Sequence, residues 1–433
     1  MAVPPACLDF RSAEAGLTAM AVTATAIPAH VPAQLVWDHD INVFPALFAD
    51  PYAGACEAIH AGPDIVWCTS AYNGRPGWLM TRFALIEEVH LDPARFAAGL
   101  SRDITVLLGH EVPLLPSESD PPEHRIYRQF IQPWFQPSFV AGLDARIREI
   151  CRDLIAGFEA RGSCEFVAEF SSLFPSSVFL ALMGLPRELL LQFLAWEHDF
   201  LRGDSFETRA RAAREIHDYF AGLIDERRRH PEGDMVSMIA NGAIEGRRLS
   251  DDEARGMCIM LYIGGLDSVT SGLGWYMRHL ALDPVLQAAL RDAPALIPDA
   301  IEEFVRAYGT NSTMRTVTGD IAFHGVAMKR GDIVVLPTFF ASRDPRQYRD
   351  PHRFDIARKA RTMTFATGAH NCAGIHLAKR EIRIVLEEFL ARLPNIRIPA
   401  GDAAVLTTQT IWGVKRLPLE WDRERDRGIG ETR

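Results

Sequence analysis

The feature that most constrains this chain is a ten-residue stretch around one cysteine, Phe365-Ala-Thr-Gly-Ala-His-Asn-Cys-Ala-Gly374. Cys372 lies between Gly368 and Gly374, and a helical pattern follows at residues 375–390. The cysteine is therefore predicted to sit in a tight loop that opens into a helix. Backbone N–H groups and the positive end of that helix would face the sulfur. They are expected to lower the pKa of the thiol and to favour the thiolate.

Several kinds of site use a single cysteine in such a loop. A structural zinc site needs about four nitrogen or sulfur ligands at short spacing, and no CxxC or second Cys/His cluster lies nearby. A cysteine hydrolase needs a histidine base and an orienting group, which spacing alone does not exclude. A thiolate-ligated haem needs one protein ligand and room for the ring, and Gly368 and Gly374 would provide that room. The remaining alternative is a buried free cysteine beside a turn.

Composition and charge argue against several other classes of protein. The chain has 433 residues, of which 48% are hydrophobic and 24% charged, an ordinary globular composition. Its net charge of −10 at pH 7 argues against general nucleic-acid binding. The seven cysteines are an odd number without paired spacing, which disfavours a disulfide framework and predicts a reducing, cytoplasmic location. No window approaches 18 consecutive apolar residues, so no membrane anchor is expected.

The hydrophobic patterns predict a mainly helical fold with a minor β component. Residues 1–27 lack the basic region of a signal peptide and are predicted to be a disordered extension. Residues 28–422 are predicted to form a single domain, and residues 423–433 a charged tail. The predicted helices include residues 52–61, most of 137–229 and 251–282, and strands are predicted at 65–68, 78–81 and within 315–340.

The long helix predicted at residues 251–282 carries a second unusual sequence. It begins with Ser250-Asp-Asp-Glu253, a capping-box pattern, and two adjacent glycines in its middle precede Asp267 and Ser268. Each glycine in a helix costs about 1 kcal/mol relative to alanine, so a compensating reason is expected. Close helix packing is one. The other is that Ser268 bonds back to an earlier carbonyl and opens the helix locally, leaving a groove for a diatomic ligand beside the Asp267 carboxylate.

Together these motifs resemble the cytochrome P-450 family. The cysteine stretch is similar to the family signature Phe-Gly-x-Gly-x-His-x-Cys-x-Gly, with Ala366 where glycine is usual. Residues 264–268 resemble the family's oxygen-activating motif, Ala/Gly-Gly-x-Asp-Thr, with Ser268 in place of threonine. The resemblance covers about residues 27–420 and is nearest to soluble bacterial members of the camphor hydroxylase type. It implies the cytochrome P-450 fold, haem b (iron protoporphyrin IX) as cofactor, and a haem-thiolate monooxygenase.

The resemblance also implies roles for individual residues. Cys372 would be the axial ligand of the haem iron, and Asp267 and Ser268 would guide protons during oxygen activation. A buried charge network of Glu303, Arg306 and Arg353 would hold the cysteine loop. The residues implied to bind the haem are His124, Arg128, Gly264, Arg315, Phe365, Gly368, His370 and Gly374.

The substrate pocket implied by the resemblance is mainly apolar. Val112 stands where camphor-hydroxylating members have a tyrosine that hydrogen-bonds the ketone, so a different molecule of similar size is expected. A terpenoid or norisoprenoid, with Asn311 as polar anchor, is the expected class, although apolar pockets discriminate weakly. The pocket residues implied by position are Val112, Met260, Ile263, Gly264, Asn311, Thr410 and Ile411.

Electrons are expected to come from a separate protein, because no flavin-binding or ferredoxin-like extension follows residue 420. A local excess of basic residues near the cysteine would dock an acidic [2Fe–2S] ferredoxin with its NAD(P)H-dependent reductase. The docking residues expected are Arg125, Arg358, Lys359, Arg361 and Lys379. The chain is expected to be a monomer. Two alternatives stay open: a peroxide-driven enzyme of the same fold, and a haem sensor or binding protein without turnover.

Overall fold

The computed structural model describes residues 27–98, 103–408 and 411–423, and these form a mainly helical structure with a smaller β component, as the sequence predicted. The predicted extension at residues 1–26 and most of the predicted tail, residues 424–433, lie outside the described residues. The helices of the described chain are α1 (Cys56–His60), α2 (Phe83–Leu91), α3 (Asp103–Leu108), α4 (Glu123–Ile131), α5 (Pro137–Gly142), α6 (Asp144–Ala156), α7 (Leu173–Met183), α8 (Leu190–Arg202), α9 (Phe206–Arg229), α10 (Met235–Asn241), α11 (Asp251–Leu282), α12 (Pro284–Asp292), α13 (Ile297–Ala307), α14 (Thr338–Ala341) and α15 (Ile375–Arg392).

The largest sheet has six strands in the order β1-β2-β3-β11-β8-β4. β2 and β3 pair antiparallel, as the Gly, Pro and Asn residues that bound the two strands predicted. β11 then joins the sheet parallel to β3 and antiparallel to β8, a pairing between distant parts of the chain. The strands are β1 (Val36–Asp40), β2 (Ile65–Tyr72), β3 (Arg75–Met80), β4 (Phe96–Ala97), β5 (Ser163–Glu165), β6 (Ala243–Ile244), β7 (Arg247–Arg248), β8 (Ser312–Val317), β9 (Ile321–Phe323), β10 (Val326–Met328), β11 (Ile333–Pro337), β12 (Val405–Thr407), β13 (Gly413–Arg416) and β14 (Pro418–Glu420).

Helix α11 begins and ends where the sequence predicted. The Ser250 side chain accepts a hydrogen bond from the Glu253 N–H at 3.2 Å, and the Glu253 carboxylate accepts from the Ser250 N–H at 2.7 Å, which completes the capping box. By length and composition α11 is the one helix of the described chain that could cross a membrane, but more than half of its apolar stretch is buried inside the molecule. The core helix of a water-soluble protein has the same properties.

The same helix belongs to two hydrophobic clusters. Buried residues between Ala254 and Leu266 contribute to one cluster with α7, α8, α9 and α10. Buried residues between Leu273 and Ala281 contribute to the other, with α13 and α15. The change occurs at the polar segment 267–271, Asp-Ser-Val-Thr-Ser. The core therefore holds the Asp267–Ser268 motif at the centre of the molecule.

Candidate active site

The cysteine stretch forms a loop that folds back on itself before α15. The Cys372 N–H donates to the Phe365 carbonyl at 2.9 Å, and the Asn371 side-chain amide donates to the carbonyls of Phe365 and Ala366 at 3.3 and 3.2 Å. Gly368 has φ +70°, and a Cβ there would lie 2.9 Å from the His90 carbonyl oxygen. Glycine is required at this position for both its backbone conformation and its close approach to α2.

Ala366, the one departure from the family signature, also has a positive φ, +53°. This explains why glycine is usual there, because a Cβ in the left-handed region contacts the neighbouring carbonyl and costs about 1–2 kcal/mol. Because Ala366 already lies in the left-handed region, the departure is expected to affect stability rather than the shape of the loop.

Ala366→Gly is therefore expected to raise the free energy of unfolding by about 1 kcal/mol, which is the strain relieved minus the extra backbone entropy of glycine in the unfolded chain. Denaturant unfolding measures the change. Ala288→Gly is a control on an exposed position within α12, where the same substitution should lower stability by about 1 kcal/mol. A loss of stability in both variants would contradict strain at Ala366.

The electrostatic surroundings of Cys372 correct one prediction. Burial raises the pKa of the thiol, and this effect exceeds the lowering by the Gly374 N–H and by the Arg128 guanidinium. The prediction of a lowered pKa was therefore wrong for the polypeptide alone, because the cost of burying the thiolate outweighs the N–H groups at the start of α15. A bound metal cation would provide the remaining stabilisation, since metal coordination deprotonates a thiol.

A group of cationic and imidazole side chains converges beside the cysteine loop. On α4, Arg128 donates to the Asn371 carbonyl at 2.7 Å, and the His124 ring lies 4.2 Å from the His370 ring. Among the residues that the structure describes, the buried Nε2 of His370 has no hydrogen-bond partner, and the Asp120 carboxylate lies 3.9 Å from it. The side chains predicted from the family motif thus lie together around the loop.

Arg315 on β8 is a buried cation in the same group. It is 7% exposed, and it donates to the Met314 carbonyl at 2.8 Å and contacts His90 Nδ1 at 3.2 Å. Within the described chain it forms no ion pair, and burial lowers its pKa to about 10. A buried guanidinium without a carboxylate is costly, so an anionic ligand would stabilise this arrangement.

His90, at the end of α2, is a site residue that the sequence did not indicate. Burial, with the positive charges of Arg315 and His370, lowers its pKa to about 3. The ring is therefore neutral and can accept from Arg315 at Nδ1 while its Nε2 faces Thr313 Oγ1 at 3.4 Å. No motif marks His90, because only the fold brings α2 and β8 together.

These observations fit a flat cofactor that carries carboxylates and an iron ion. Arg315 and His370 present a buried cation and a buried ring nitrogen without acidic partners at hydrogen-bond distance. Gly264 is exposed although it lies in the middle of the core helix, and a Cβ at Gly374 would meet nothing within 4 Å. Open space therefore borders both α11 and the cysteine loop, and the residues around it suit a haem.

Asp267 and Ser268 lie on α11 as predicted, but in a different local setting. Asp267 is 5% exposed, and its Oδ2 accepts from Arg202 Nη2 of α8 at 2.5 Å. Ser268 Oγ lies 3.5 Å from the Gly264 carbonyl oxygen, and α11 continues through this turn without a break. The local opening predicted for this helix is absent, because the long contact to Gly264 leaves the helical hydrogen bonds in place.

The buried charge network contains a different arginine from the one predicted. Glu303 accepts from Arg306 on the same helix at 3.1 Å and from Arg358 at 3.2 Å. The Arg353 side chain is exposed, and only its backbone carbonyl takes part, accepting from Arg306 and Arg358. The prediction for Arg353 was wrong because the turn at 350–355 directs its side chain to solvent and brings Arg358 onto Glu303.

The predicted pocket residues lie on several elements around α11. Val112 is fully buried in the apolar cluster, Met260 and Ile263 are half-buried on α11, and Ile411 pairs with Asn311 through an isolated β-bridge. The Asn311 side-chain carbonyl accepts from Thr338 Oγ1 at 3.0 Å, so one end of the predicted polar anchor already has a partner. Thr410 lies outside the described residues.

The predicted docking residues differ in whether they already form ion pairs within this chain. Arg358 belongs to the Glu303 network, so its assignment to docking was wrong. Lys379 pairs with Glu302 at 2.6 Å, Lys359 lies 3.7 Å from Asp299, and Arg361 pairs with Glu87. Arg125 on α4 is exposed and has no ion pair among the described residues.

Comparison with known proteins places these features in one family. The family model described as Cytochrome P450 matches residues 295–402. A probable cytochrome P450 127A1 from Sinorhizobium fredii is 34% identical over 402 residues, which cover 91% of this chain and 97% of that protein. Cytochrome P450-terp from a Pseudomonas species is 29% identical over 380 residues, covering 80% and 88%. The crystal structure of CYP101J2 matches 92% of this chain and all of that chain, with a TM-score of 0.83 and 32% identity.

Proposed function

The chain belongs to the cytochrome P450 family and is a haem-thiolate monooxygenase, and on that premise we propose that it hydroxylates a small terpenoid or norisoprenoid with electrons from a [2Fe–2S] ferredoxin. The observation that carries the haem monooxygenase is the group of His124, Arg128, Arg315 and His370 around the Cys372 loop, whose cationic and imidazole side chains suit the carboxylates of a haem.

In the proposed site, the chain's own side chains would hold the cofactor. Cys372 Sγ would bind the haem iron, and Arg128, Arg315, His124 and His370 would bind the haem carboxylates. When bound, the haem would supply oxygen activation assisted by the thiolate and insertion of one oxygen atom into a C–H bond. Gly264, which has no side chain, would leave room for the cofactor beside α11.

Proton delivery is assigned to Asp267 and Ser268. The Asp267 carboxylate is buried and oriented by Arg202, so it can pass a proton along α11 without opening the site to bulk water. Ser268 Oγ, weakly held by the Gly264 carbonyl, can rotate to donate to dioxygen. A peroxide-driven enzyme needs no such relay because peroxide brings its own protons, and this favours the monooxygenase over that alternative.

Ser268→Thr is expected to improve coupling between NADH oxidation and product formation. Serine has more rotamer freedom than a β-branched threonine, and its hydroxyl lies at the 3.5 Å limit of a hydrogen bond to Gly264. Less peroxide per NADH should therefore form in the threonine variant. The measurement is peroxide and product per NADH in both proteins. Equal coupling in the two proteins would refute the account of the serine.

The substrate class is inferred from the apolar surroundings of the distal side. Val112, Met260 and Ile263 supply hydrocarbon surface, and one of the relatives is named cytochrome P450-terp. Val112 provides no hydroxyl where camphor-hydroxylating members have a tyrosine. The substrate is therefore proposed to be held mainly by shape, with Asn311 as the nearest polar group, which predicts modest discrimination among small apolar molecules.

The proposed ferredoxin contact lies on the cysteine side of the molecule. A groove there has an apolar floor, which includes Val140 and Ile301, and a basic rim of Lys379, Arg380 and Arg383. These three cations already pair with acidic side chains of this chain, so a partner must compete for them. Arg125 has no such competitor among the described residues and lies one turn from Arg128 on α4, which makes it the strongest single contact we propose.

The test of the electron donor is the rate at which a [2Fe–2S] ferredoxin reduces the protein as salt is raised. A rate that falls with salt is expected, because exposed charges are screened over about 8 Å at physiological ionic strength. Arg125→Ala should lower the rate and weaken its salt dependence, whereas Arg214→Ala, an exposed arginine on α9, should not. A rate independent of salt would count against the docking surface.

Turnover separates the monooxygenase from the remaining alternatives. With a ferredoxin, its reductase and a terpenoid panel, NADH consumption and hydroxylated product are expected. Product from peroxide alone at the same rate would favour the peroxide-driven enzyme, and ligand binding without product would favour a sensor. We further propose that residues 28–422 act as a single cytoplasmic domain and that the protein is a monomer.

A further inference from the structure

Three ionisable side chains meet between α8 and α11 in a part of the site that the family motifs do not describe. Arg202 Nη2 donates to Asp267 Oδ2 at 2.5 Å, and Arg202 Nη1 lies 4.0 Å from Glu197 Oε1. The carboxylate side chains are 6% exposed at Asp267 and 11% at Glu197. One guanidinium is thus shared between two buried acids, with a short contact to one and a long contact to the other.

The charges of this cluster do not balance unless one acid is protonated. Two carboxylates and one guanidinium carry a net charge of −1. The guanidinium side chain is 32% exposed, but both acids are buried, so the unbalanced charge lies on groups that are costly to bury. Asp267 has a short charge-assisted bond to Arg202 and a second contact from Ser271 Oγ at 3.5 Å. Glu197 has neither a short bond from Arg202 nor a contact from a serine hydroxyl. Protonating Glu197 therefore costs less free energy than protonating Asp267. When Glu197 is protonated, the cluster is neutral and Arg202 forms its ion pair with Asp267 alone.

We propose that Glu197 is a positioning residue that holds the neutralising proton of the Glu197–Arg202–Asp267 cluster and thereby keeps Arg202 bound to Asp267. When Glu197 loses that proton, a second carboxylate competes for the same guanidinium. Arg202 is then shared, and the Asp267 carboxylate is held less firmly. The protonation equilibrium of Glu197 involves one proton, which is released to solvent and taken up again from solvent.

The other groups around Glu197 support a proton on it at neutral pH. Burial, with the negative charge of Asp267, raises the pKa of Glu197 to about 8, although Arg202 opposes this. The third titratable group that faces it is the Tyr262 hydroxyl of α11, whose own pKa is raised by burial and by Glu197. Tyr262 donates to the Phe193 carbonyl at 2.6 Å and stays neutral, so it adds no charge that could replace Arg202.

The first test is an infrared titration of the haem-loaded, substrate-free protein, which needs no turnover. Between pH 7 and 9 the wild type should lose the carbonyl stretch of one protonated carboxyl group and gain a carboxylate. Glu197→Gln should remove this change, and Glu188→Gln, an exposed control, should keep it. A wild-type spectrum without the change, or a change that persists in Glu197→Gln, would overturn the proposal.

Thermal unfolding gives a second readout with a defined sign. Because the pKa of Glu197 is raised in the folded state, its stabilising contribution is present at low pH and is lost as pH rises towards about 8. The melting temperature of the wild type and of Glu188→Gln should therefore fall between pH 6 and 8 more steeply than that of Glu197→Gln. Glu197→Met, of similar size, should match Glu197→Gln, and unchanged slopes in both variants would contradict the proposal.

The consequence for proton delivery rests on the function proposed above. In turnover, peroxide released per NADH should rise as pH passes about 8 in the wild type and stay level in Glu197→Gln. If the infrared change is present but the rise in peroxide above pH about 8 persists in Glu197→Gln, Glu197 holds a proton but does not position Asp267. If no turnover occurs at all, the proposed function fails while the infrared result still decides where the proton is.

Discussion

Glu303→Gln is expected to lower the free energy of unfolding by about 3–5 kcal/mol, the usual cost of removing one partner from a buried ion pair. Glu303 is 3% exposed and Arg306 is fully buried. Glu303 accepts from Arg306, Arg358 and the Asp355 N–H. Without its charge, two guanidinium groups would remain close together with no carboxylate between them. The measurement is denaturant unfolding of the purified protein.

The same substitution should also reduce haem retention, because the network supports the cysteine loop. Arg306 donates to the carbonyls of Ser342, Pro351 and Arg353. On the same helix, the Val305 carbonyl accepts from Thr362 Oγ1 at 3.2 Å, three residues before the loop begins. Loss of the network would therefore disturb the approach to Cys372, and the ratio of haem to protein should fall.

A matched control is available on α6. Arg146 and Glu149 also form an i,i+3 pair, at 2.7 Å, but their side chains are 53% and 58% exposed. Glu149→Gln should change stability by less than about 1 kcal/mol and leave haem content unchanged. Equal losses in the two variants would show that burial of the Glu303 pair does not set its contribution.

Asp267→Asn is expected to slow product formation by about 10²-fold or more, the lower range for loss of a positioned proton donor or acceptor. Asparagine keeps the size of the side chain, but its amide cannot take up and release a proton as a carboxylate does. It also leaves Arg202 without its short ionic contact, and Glu197 would then be the one acid near it. A larger solvent isotope effect on turnover should accompany the slower rate, because proton transfer becomes more rate-limiting.

The control for this variant lies on the same helix. Asp252 is in the first turn of α11, with a side chain that is 61% exposed and 3.6 Å from Arg255. Asp252→Asn should leave turnover and the isotope effect unchanged. If Asp267→Asn turned over as fast as Asp252→Asn, the carboxylate at 267 would have no part in proton delivery.

The elements that sequence predicted well are those with local signals. Helix α11 was predicted over 251–282 from its helical pattern and from the capping box of Ser250 and Glu253 at its start. The cysteine loop was predicted because its glycines and the helical period after residue 374 are adjacent in the chain. In each case the information lies within one turn or one helix, where backbone geometry allows few alternatives.

The site residues that sequence missed depend on contacts between distant segments. Glu197 and Arg202 reach Asp267 through side-chain contacts between α8 and α11, and His90 reaches Arg315 through a contact between α2 and β8. Arg353 was assigned to the charge network and Arg358 to docking, because spacing within a turn does not show which side chain points inward. The thiol pKa of Cys372 was mispredicted for a related reason, since the helix start is visible in sequence and the depth of burial is not.

The central claim is that Cys372 binds a haem iron as a thiolate, and one spectrum tests it most directly. The protein is purified with its haem, reduced, and exposed to carbon monoxide, and the absorbance difference is recorded. A strongly red-shifted band, as thiolate-ligated haem gives, is the predicted result. A band at the position typical of histidine-ligated haem, or no haem uptake by folded protein, would contradict the account.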